Sequence, residues 1–294
     1  LAARYWGGRA WLQSGDEDAA KTRWRDVIAQ QPMSYYAIVS AKRLGEPAWS
    51  PTQVSQSPPR VAAVDSAIAR AQLLERLGMD NEARFEYDAL EDAAATSPDR
   101  ALATAYAFAG HDQSSRAIRL AQKLADGGRR DTRVYRVLFP ILDHGELTRV
   151  SEANNLDPAL VAGLIRQESA FNPRAVSVAN ARGLMQILPA VGQELSRSLA
   201  YPVWYPSLLF DPDANLQLGT AHLANYVKRY QTLPRVLAAY NAGGSRVTRW
   251  STKIGMDDPE VFVERIPFVE TRDYVRIVQR NASIYRAVWG MAAK

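Results

Sequence analysis

A repeated sequence pattern in the first 130 residues strongly restricts the fold of this chain. Apolar residues at helical spacing are followed by a turn with glycine and aspartate, and then by a second helical stretch with alanine near its start. The turns are Gly15-Asp16, Gly78-Met79-Asp80 and Gly110-His111-Asp112. A unit of this kind buries its apolar face by stacking on the next unit. The pattern therefore predicts a solenoid-like arrangement of helix pairs, an α-superhelix, in the N-terminal part of the chain.

Two breaks divide the sequence. Residues 46–60 are rich in proline and serine and lack apolar periodicity, which is typical of a linker. A second break falls at Asp126-Gly127-Gly128. We therefore expect three parts: residues 1–60 as the end of a superhelical domain with its linker, 61–130 as a helical linker domain, and 131–294 as a C-terminal domain.

The C-terminal part is also predicted to be helical. Asp157-Pro158 and Asp211-Pro212 each place an N-capping aspartate before a proline at the first helical position. Asn241-Ala242-Gly243-Gly244 would stop a helix, and residues 271–288 form a long last helix. A weak strand signal, compatible with a short hairpin, lies only at Ser177–Ile187. These signals together predict an all-α protein.

Composition excludes several classes of site. The chain has no cysteine, so it has no disulfide, thiolate nucleophile or zinc–thiolate centre. His111, His144 and His222 lack metal-ligand spacing, and we expect neither a metal nor a cofactor. The net charge of +5 fits an anionic partner or plain solubility, but the basic runs are too short to predict nucleic-acid binding. No stretch approaches the roughly 18 apolar residues of a membrane span, and we expect any signal peptide or lipid anchor to be removed or to lie outside this chain.

Glu168 is the residue with the clearest chemical signal. It follows Leu164 by one helical turn, so it projects over the same apolar face. Burial disfavours the ionised carboxylate and raises its pKa, as a general acid near neutral pH requires. The negative end of the helix dipole acts in the same direction. The helix alone leaves a second interpretation open, a surface glutamate at a helix end.

Four ordered motifs settle this choice through a family resemblance. The motifs are Gln167-Glu168-Ser169-Ala170-Phe171-Asn172-Pro173, then Gly183-Leu184-Met185-Gln186-Ile187-Leu188-Pro189, then Ala239-Tyr240-Asn241-Ala242-Gly243, and last Glu264-Arg265-Ile266-Pro267-Phe268 with Glu270-Thr271-Arg272 and Tyr274-Val275. With these motifs the sequence closely resembles the soluble lytic transglycosylases over residues 134–289. The resemblance implies a lysozyme-like, goose-type-like catalytic domain at 131–294 after an α-superhelical region.

The resemblance also implies an activity. One glutamate, here Glu168, donates a proton to the oxygen between N-acetylmuramic acid and N-acetylglucosamine. It then takes a proton from the muramic acid 6-hydroxyl, which attacks the anomeric carbon and leaves a 1,6-anhydromuramyl end. The implied partners are peptidoglycan glycan strands and, through the helical region, other cell-wall enzymes. The implied location is the periplasm or the outer membrane of a Gram-negative bacterium.

The positions that match the family motifs predict a groove around Glu168. The residues expected to bind substrate in this groove are Ser177, Met185, Gln186, Leu188, Tyr240, Asn241, Glu270 and Tyr274. Tyr240 is expected to bond Glu168 or a sugar, and Gln186 to donate and accept through its amide. Glu270 is expected deep in the groove, with Tyr274 one turn along the same helix. Ser177 matches a serine that bonds the muramic acid or the carboxyl group.

Several of these positions have a structural alternative. Ser177 is also a good turn residue, Asn241 a good helix C-cap, and Met185 fits the core better than a ligand contact. Glu264 fits a helix-end salt bridge better than catalysis. Two positions depart from the family: Asn180 replaces a common glycine and should take positive φ, and Gly244-Ser245 replaces a common Pro-Gly, which would loosen that loop.

Two other functions compete with a lyase. A hydrolytic muramidase on the same fold would need a second carboxylate to hold water, and Asp257, Asp258 and Glu270 are candidates. A non-catalytic helical scaffold protein of the cell wall would need no active glutamate. The combination of Glu168, Ser177, Gln186 and Tyr240 argues against the scaffold.

Overall fold

In the computed structural model, residues 1–54, 57–111, 113–252 and 257–291 are described, and they are almost entirely helical. They form sixteen α-helices, and a 3-10 helix at Pro206–Phe210, with no strand. The α-helices are α1 Ala2–Gln13, α2 Glu17–Gln30, α3 Tyr35–Leu44, α4 Ala62–Arg76, α5 Asp80–Ala94, α6 Pro98–Ala109, α7 Ser114–Asp126, α8 Thr132–Leu138, α9 His144–Ala153, α10 Pro158–Glu168, α11 Pro189–Ser198, α12 Pro212–Tyr230, α13 Leu233–Ala242, α14 Gly244–Ser251, α15 Pro259–Arg265 and α16 Val269–Trp289. The all-α prediction is confirmed.

The chain forms two compact units. Unit 1 comprises residues 1–50, 143–169 and 173–294, and unit 2 comprises residues 51–142 with the short segment 170–172. Unit 1 thus combines the first three helices with the C-terminal part of the chain. The three-part division drawn from the sequence at residues 60 and 130 stays a prediction.

Unit 2 contains successive helix pairs. Helix α4 packs on α5, α5 on α6, α6 on α7 and α7 on α8. Gly78 joins α4 to α5 with φ +72°, a value that favours glycine. The turn between α6 and α7 holds Gly110 in an ordinary right-handed conformation, and its Asp112 lies outside the described residues. The predicted helix–turn–helix units are therefore present, although their turns differ in geometry.

The first three helices of unit 1 follow the same local rules. Gly15 turns the chain between α1 and α2 with φ +89°. The side chain of Asp16 accepts a hydrogen bond of 2.9 Å from the Ala19 N–H and so caps α2. Gly45 ends α3 in the left-handed conformation, and no helix begins again before Ala62. The predicted linker at 46–60 is accordingly non-helical in its described residues, with Ser55 and Gln56 outside them.

Aspartate caps start the main helices of the C-terminal part. Asp157 accepts from the Ala159 N–H at 2.8 Å, and Asp211 accepts from the Ala214 N–H at 2.9 Å. Both predicted helix starts are confirmed. The C-cap of α13 is Gly243 at φ +87° rather than Asn241, which leaves the asparagine side chain available.

The predicted hairpin at Ser177–Ile187 is a series of tight turns. Isolated bridges join Val176 to Arg182 and Arg182 to Ile187. Asn180, Gly183 and Gln186 all have positive φ, so the described chain reverses direction too often for two consecutive ladder pairs. The expected positive φ at Asn180 is confirmed at 63°.

Helices α10 and α16 form the central contact of unit 1. A Cβ atom on Gly163 of α10 would lie 2.7 Å from the Ala282 nitrogen and 3.0 Å from the Val278 oxygen of α16. The two backbones can approach this closely only because Gly163 has no side chain. Across the described residues, no helix combines the length and apolarity that a membrane span requires.

Candidate active site

Glu168 is the last residue of α10, on the side where that helix meets α16. The preceding turn is apolar and fully buried, with Leu164 and Ile165 both at 0% exposure. Glu168 itself is half-buried. The Tyr274 hydroxyl, on α16, donates a hydrogen bond of 2.6 Å to Glu168 Oε1. The carboxyl group therefore has one accessible side and one firm donor from the protein.

Burial controls the acidity of Glu168. Desolvation raises the pKa of its carboxyl group from the usual 4.5 to about 7, against the hydrogen bond from Tyr274, which lowers it. The negative charge of Glu270 adds a smaller upward shift. The raised pKa expected from the sequence, with desolvation as its main cause, is confirmed. At neutral pH this group can both give and take a proton.

Tyr240 lies beside Glu168 but does not bond to it. Its hydroxyl donates to the Met185 carbonyl oxygen at 2.8 Å, and the charge of Glu168 helps raise the pKa of Tyr240. The expectation that Tyr240 bonds Glu168 is corrected, because the partner is Tyr274. The Tyr240 ring is half-buried and lies 5.4 Å from the His222 ring between centroids.

The loop that carries Met185 and Gln186 is fixed by Asn215, a fully buried residue of α12. Asn215 Oδ1 accepts from the Met185 N–H at 2.8 Å, and its Nδ2 donates to the Arg182 and Leu209 carbonyl oxygens at 3.0 and 2.8 Å. The Met185 side chain is fully buried and packs against Gly219. The predicted substrate-binding role of the Met185 side chain is therefore corrected, because Met185 belongs to the core.

Gln186 and Ser177 use part of their hydrogen-bonding capacity within the loop. Gln186 Nε2 donates to the carbonyl oxygens of Ala175 and Gly183 at 3.1 and 2.9 Å. The Oε1 atom of its amide is then the main group left to accept a hydrogen bond from a ligand. Ser177 Oγ accepts from the Ala181 N–H at 3.1 Å, which is the turn-forming arrangement, and its hydroxyl proton remains available.

The remaining predicted groove residues differ in exposure. Asn241 Oδ1 accepts from the Thr271 hydroxyl at 2.7 Å, and Tyr274 is buried. Leu188 is 42% exposed and presents an apolar surface. Glu270 was expected deep in the groove, but it is exposed in the first turn of α16. The predicted deep position of Glu270 is therefore corrected. The position of a residue on a helix does not determine how far neighbouring loops cover its side chain.

Glu270 is the one other carboxylate whose charge acts on Glu168 in the described structure. Asp258 caps α15 and accepts from Arg9 at 2.6 Å, and Asp257 is exposed, 3.9 Å from Arg235. Two of the three candidates for a second catalytic carboxylate are therefore occupied elsewhere. Among the described histidine and acidic side chains, no cluster could hold a metal ion.

Sequence reasoning missed two residues that shape the site, Asn215 and Thr271. Asn215 had a detectable signal, a polar residue inside an apolar helix face, whereas the interaction between Thr271 and Asn241 joins two helices. The ring of His222 packs on that of Tyr226, with centroids 4.8 Å apart. Burial lowers the pKa of His222, so a neutral ring adjoins Tyr240. Glu264 forms the predicted salt bridge, with Arg276 at 2.6 Å.

Comparison with known proteins indicates the same family as the sequence motifs. The family model for the transglycosylase SLT domain matches residues 147–262. Soluble lytic murein transglycosylases from Salmonella typhimurium and Escherichia coli K12 are each 33% identical over 98% of this chain. The chain spans 44% of the length of each of these relatives.

Solved structures extend the similarity to the fold. The 70 kDa soluble lytic transglycosylase of Escherichia coli superposes with a TM-score of 0.77 at 27% identity, over 99% of this chain and 47% of that one. An inactive mutant of the lytic transglycosylase Slt from Pseudomonas aeruginosa gives 0.76 at 27% identity, over 98% and 46%. The sequence motifs, the matched family model and the similarity along 98% of this chain agree, and the chain belongs to the soluble lytic transglycosylase family.

Proposed function

We propose that this protein cleaves peptidoglycan glycan strands as a lytic transglycosylase. In this proposal protonated Glu168 gives its proton to the oxygen that links N-acetylmuramic acid to N-acetylglucosamine, and the glycosidic bond breaks. The ionised Glu168 then accepts the proton of the muramic acid 6-hydroxyl, whose oxygen bonds to the anomeric carbon. The products are a free N-acetylglucosamine 4-hydroxyl and a 1,6-anhydromuramyl end, and no water is consumed.

The observation that carries this proposal is the environment of Glu168. Its carboxyl group titrates near neutral pH, with a pKa of about 7, so both protonation states are accessible within one cycle. A single hydrogen bond from Tyr274 stabilises the ionised form. One carboxyl group is enough for this reaction, because the nucleophile is a hydroxyl group of the substrate.

The neighbouring side chains offer contacts to a sugar chain. Tyr240 offers a half-buried aromatic side chain, Leu188 an apolar surface, and Gln186 an amide oxygen. We assign substrate binding to these three and to Ser177, Asn241, Glu270 and Tyr274. Apart from Glu270, these are neutral or aromatic groups, and they match an uncharged glycan backbone, which offers hydroxyl and acetamido groups as well as apolar ring faces.

A hydrolytic muramidase is the second candidate, and one observation favours it. Glu270 is exposed, and its charge reaches Glu168, so this carboxylate could hold a water molecule. Among the described acidic side chains, Glu270 is the one whose charge affects the pKa of Glu168. The hydrolase therefore depends on Glu270 acting as a base.

Analysis of the products distinguishes the two functions. Purified peptidoglycan is digested with the protein, and the released muropeptides are measured by mass spectrometry. The transglycosylase yields ends that are lighter by one water than hydrolysed ends. A Glu270→Gln variant should still form anhydro ends, whereas products that carry an added water and disappear with Glu270→Gln would establish the hydrolase.

The cellular setting belongs to the same proposal. The matched relatives include murein transglycosylases of Gram-negative bacteria, and a 70 kDa soluble lytic transglycosylase of similar structure was solved as a complex with bulgecin A. We place this protein in the periplasm or at the outer membrane, where peptidoglycan is accessible. The contact of its helical region with other cell-wall enzymes is a further proposal that an affinity experiment with the full chain would test.

A further inference from the structure

Helix α15 presents two glutamates, one turn apart, to the first three helices of unit 1. Glu260 Oε2 accepts hydrogen bonds from Arg9 at 3.0 Å and from Arg43 at 2.6 Å, and also from the hydroxyl group of Tyr5. Arg43 also donates to the Tyr5 oxygen at 2.7 Å. This first cluster joins α1 and α3 to α15, and none of its members is on α16.

The second glutamate connects α3 to α16. The Tyr36 hydroxyl donates to Glu264 Oε1 at 2.7 Å, and Arg276 donates to Glu264 Oε2 at 2.6 Å. Arg276 also donates to the Tyr36 oxygen at 3.0 Å, and its guanidinium lies 5.5 Å from the centre of the Tyr36 ring. These three residues form a closed triangle of hydrogen bonds, which we call the α3–α16 clamp.

The clamp acts on the face of α16 opposite the active site. Tyr274 and Arg276 are two residues apart, which places their side chains about 200° apart around a helix. Tyr274 reaches Glu168 of α10, while Arg276 reaches α3. Helix α16 therefore lies between α10 and α3, and the clamp is on the side of α16 away from Glu168.

Partial burial gives the clamp its strength. The side chains of Arg276 and Glu264 are 21% and 29% exposed, so solvent screens their attraction less than it screens a surface pair. A charged pair with a shared hydroxyl donor also has a defined geometry. Loss of one member leaves the others with fewer partners, and α16 gains freedom to move away from α10.

We propose that Tyr36, Glu264 and Arg276 are positioning residues for the general acid, and that α3 thereby supports the catalytic site. The inference rests on the proposed function in that the group being positioned is the proton donor. Its structural consequence is specific: the clamp maintains the hydrogen bond from Tyr274 to Glu168.

The pKa of Glu168 reports the strength of the hydrogen bond from Tyr274. The titratable groups that act on Glu168 are Tyr274 and Glu270 of α16 and Tyr240 of α13. Because the Tyr274 bond lowers the pKa of Glu168, a weaker bond must raise it. Tyr36→Phe retains the ring and removes both hydroxyl contacts, and it should raise the Glu168 pKa by about half a unit and lower kcat roughly threefold to tenfold.

The experiment follows the Glu168 carboxyl carbon by ¹³C NMR titration of the full 294-residue chain, alongside the pH profile of anhydro-end formation. Tyr5→Phe is the matched control, because it also removes a hydroxyl donor to a glutamate of α15 but keeps the ring that packs on Tyr36, 5.8 Å between centroids, and so leaves the hydrogen bonds of the clamp intact. It should reduce thermal stability and leave the Glu168 titration unchanged. Glu264→Gln is the second test variant and should shift the titration in the same direction as Tyr36→Phe.

A double substitution tests the proposed route. In a Tyr274→Phe background the hydrogen bond is already absent, so Tyr36→Phe should cause no further change in the Glu168 pKa. An unchanged titration in both Tyr36→Phe and Glu264→Gln, or equal shifts in Tyr36→Phe and Tyr5→Phe, would overturn the proposal. Failure of the wild-type chain to produce anhydro ends would refute the proposed function, while the NMR result would still decide the positioning role.

Discussion

At the scale of single residues, the chemistry depends on how Glu168 is solvated. Desolvation alone would hold the carboxyl group protonated, and a proton held too firmly cannot be donated. The Tyr274 hydrogen bond opposes desolvation and leaves a pKa of about 7. A residue that must act as acid and then as base works best when both forms are populated at the working pH.

Replacement of Glu168 by glutamine should therefore abolish catalysis without disturbing the fold. The amide has the same shape but can neither donate nor recover the proton, and we expect a loss of about 10²–10⁴-fold in the rate of anhydro-end formation. Turnover of peptidoglycan measured by mass spectrometry checks the rate, and circular dichroism checks the fold. A Glu168→Gln variant with wild-type turnover would show that another group is the acid.

The same carboxyl group should make stability depend on pH. The folded chain holds the Glu168 proton up to about pH 7, whereas the unfolded chain releases it near pH 4.5. Unfolding therefore becomes easier as pH rises through this window, by at most about 3 kcal/mol. Glu168→Gln avoids this loss and should melt several degrees above the wild type at pH 8 but not at pH 4.

Thermal melts at the two pH values provide this comparison. Exposed Glu152 on α9 offers a matched control, because Glu152→Gln removes a carboxyl group without changing a buried site. Equal melting temperatures of the Glu168→Gln variant and the wild type at both pH values would contradict the assigned pKa.

The sequence predicted individual residues well where a local rule applied. Positive φ at Asn180 and the salt bridge of Glu264 are confirmed, as is the raised pKa of Glu168. Tyr240 was expected to bond either Glu168 or a sugar, but the hydroxyl that bonds Glu168 is that of Tyr274. Both tyrosines lie in motifs, and the choice between them depends on how α13 and α16 cross α10, which no local pattern encodes.

At the scale of helices, boundaries were predictable because capping chemistry is local. Asp157 and Asp211 begin α10 and α12 as predicted, since their side chains satisfy free N–H groups. The loop after Gly243 shows the opposite case. Its glycine-serine sequence predicted a looser loop, but α14 begins at Gly244, whose carbonyl oxygen accepts from Tyr230 at 2.6 Å. This hydrogen bond joins the first residue of α14 to the end of α12.

The close approach of α10 and α16 makes Gly163 a sensitive position. An added Cβ would meet the backbone of Ala282 and Val278 at 2.7 and 3.0 Å, and these atoms cannot rotate away. Gly163→Ala should destabilise the protein by about 1–3 kcal/mol. Because Tyr274 lies one turn before Val278, the separation of the helices should also weaken the bond to Glu168 and reduce activity.

Gly7→Ala is the matched control for this prediction. Gly7 is also inside a helix, but no atom lies within 4 Å of its added Cβ. Alanine there should be neutral or stabilise by about 0.5–1 kcal/mol. Chemical denaturation and activity assays of both variants measure the difference. A Gly163→Ala variant as stable and active as Gly7→Ala would show that the helices adjust at no cost.

At the scale of the whole molecule, the union of residues 1–50 with the C-terminal part could not be predicted. Arginine and glutamate in the first helices and in α15 have the composition of solvated helix faces. Their pairing requires contacts between residues more than 200 positions apart, such as Arg43 with Glu260. Sequence patterns identify helices and motifs, but they do not specify which charged faces meet.

This union predicts the result of removing residues 1–50. A chain that begins at Pro51 retains all of unit 2 but deprives Glu260, Glu264 and Arg276 of their partners on α1 and α3. Loss of a partner from a part-buried ion pair costs up to about 3–5 kcal/mol, so the rest of unit 1 should melt about 10 °C lower. Calorimetry should show this transition shifted while that of unit 2 is retained.

Anhydro-end formation should fall in the same variant, because α16 loses its support opposite Glu168. Unchanged melting and activity in the shortened chain would mean that residues 143–294 fold and act without the first three helices.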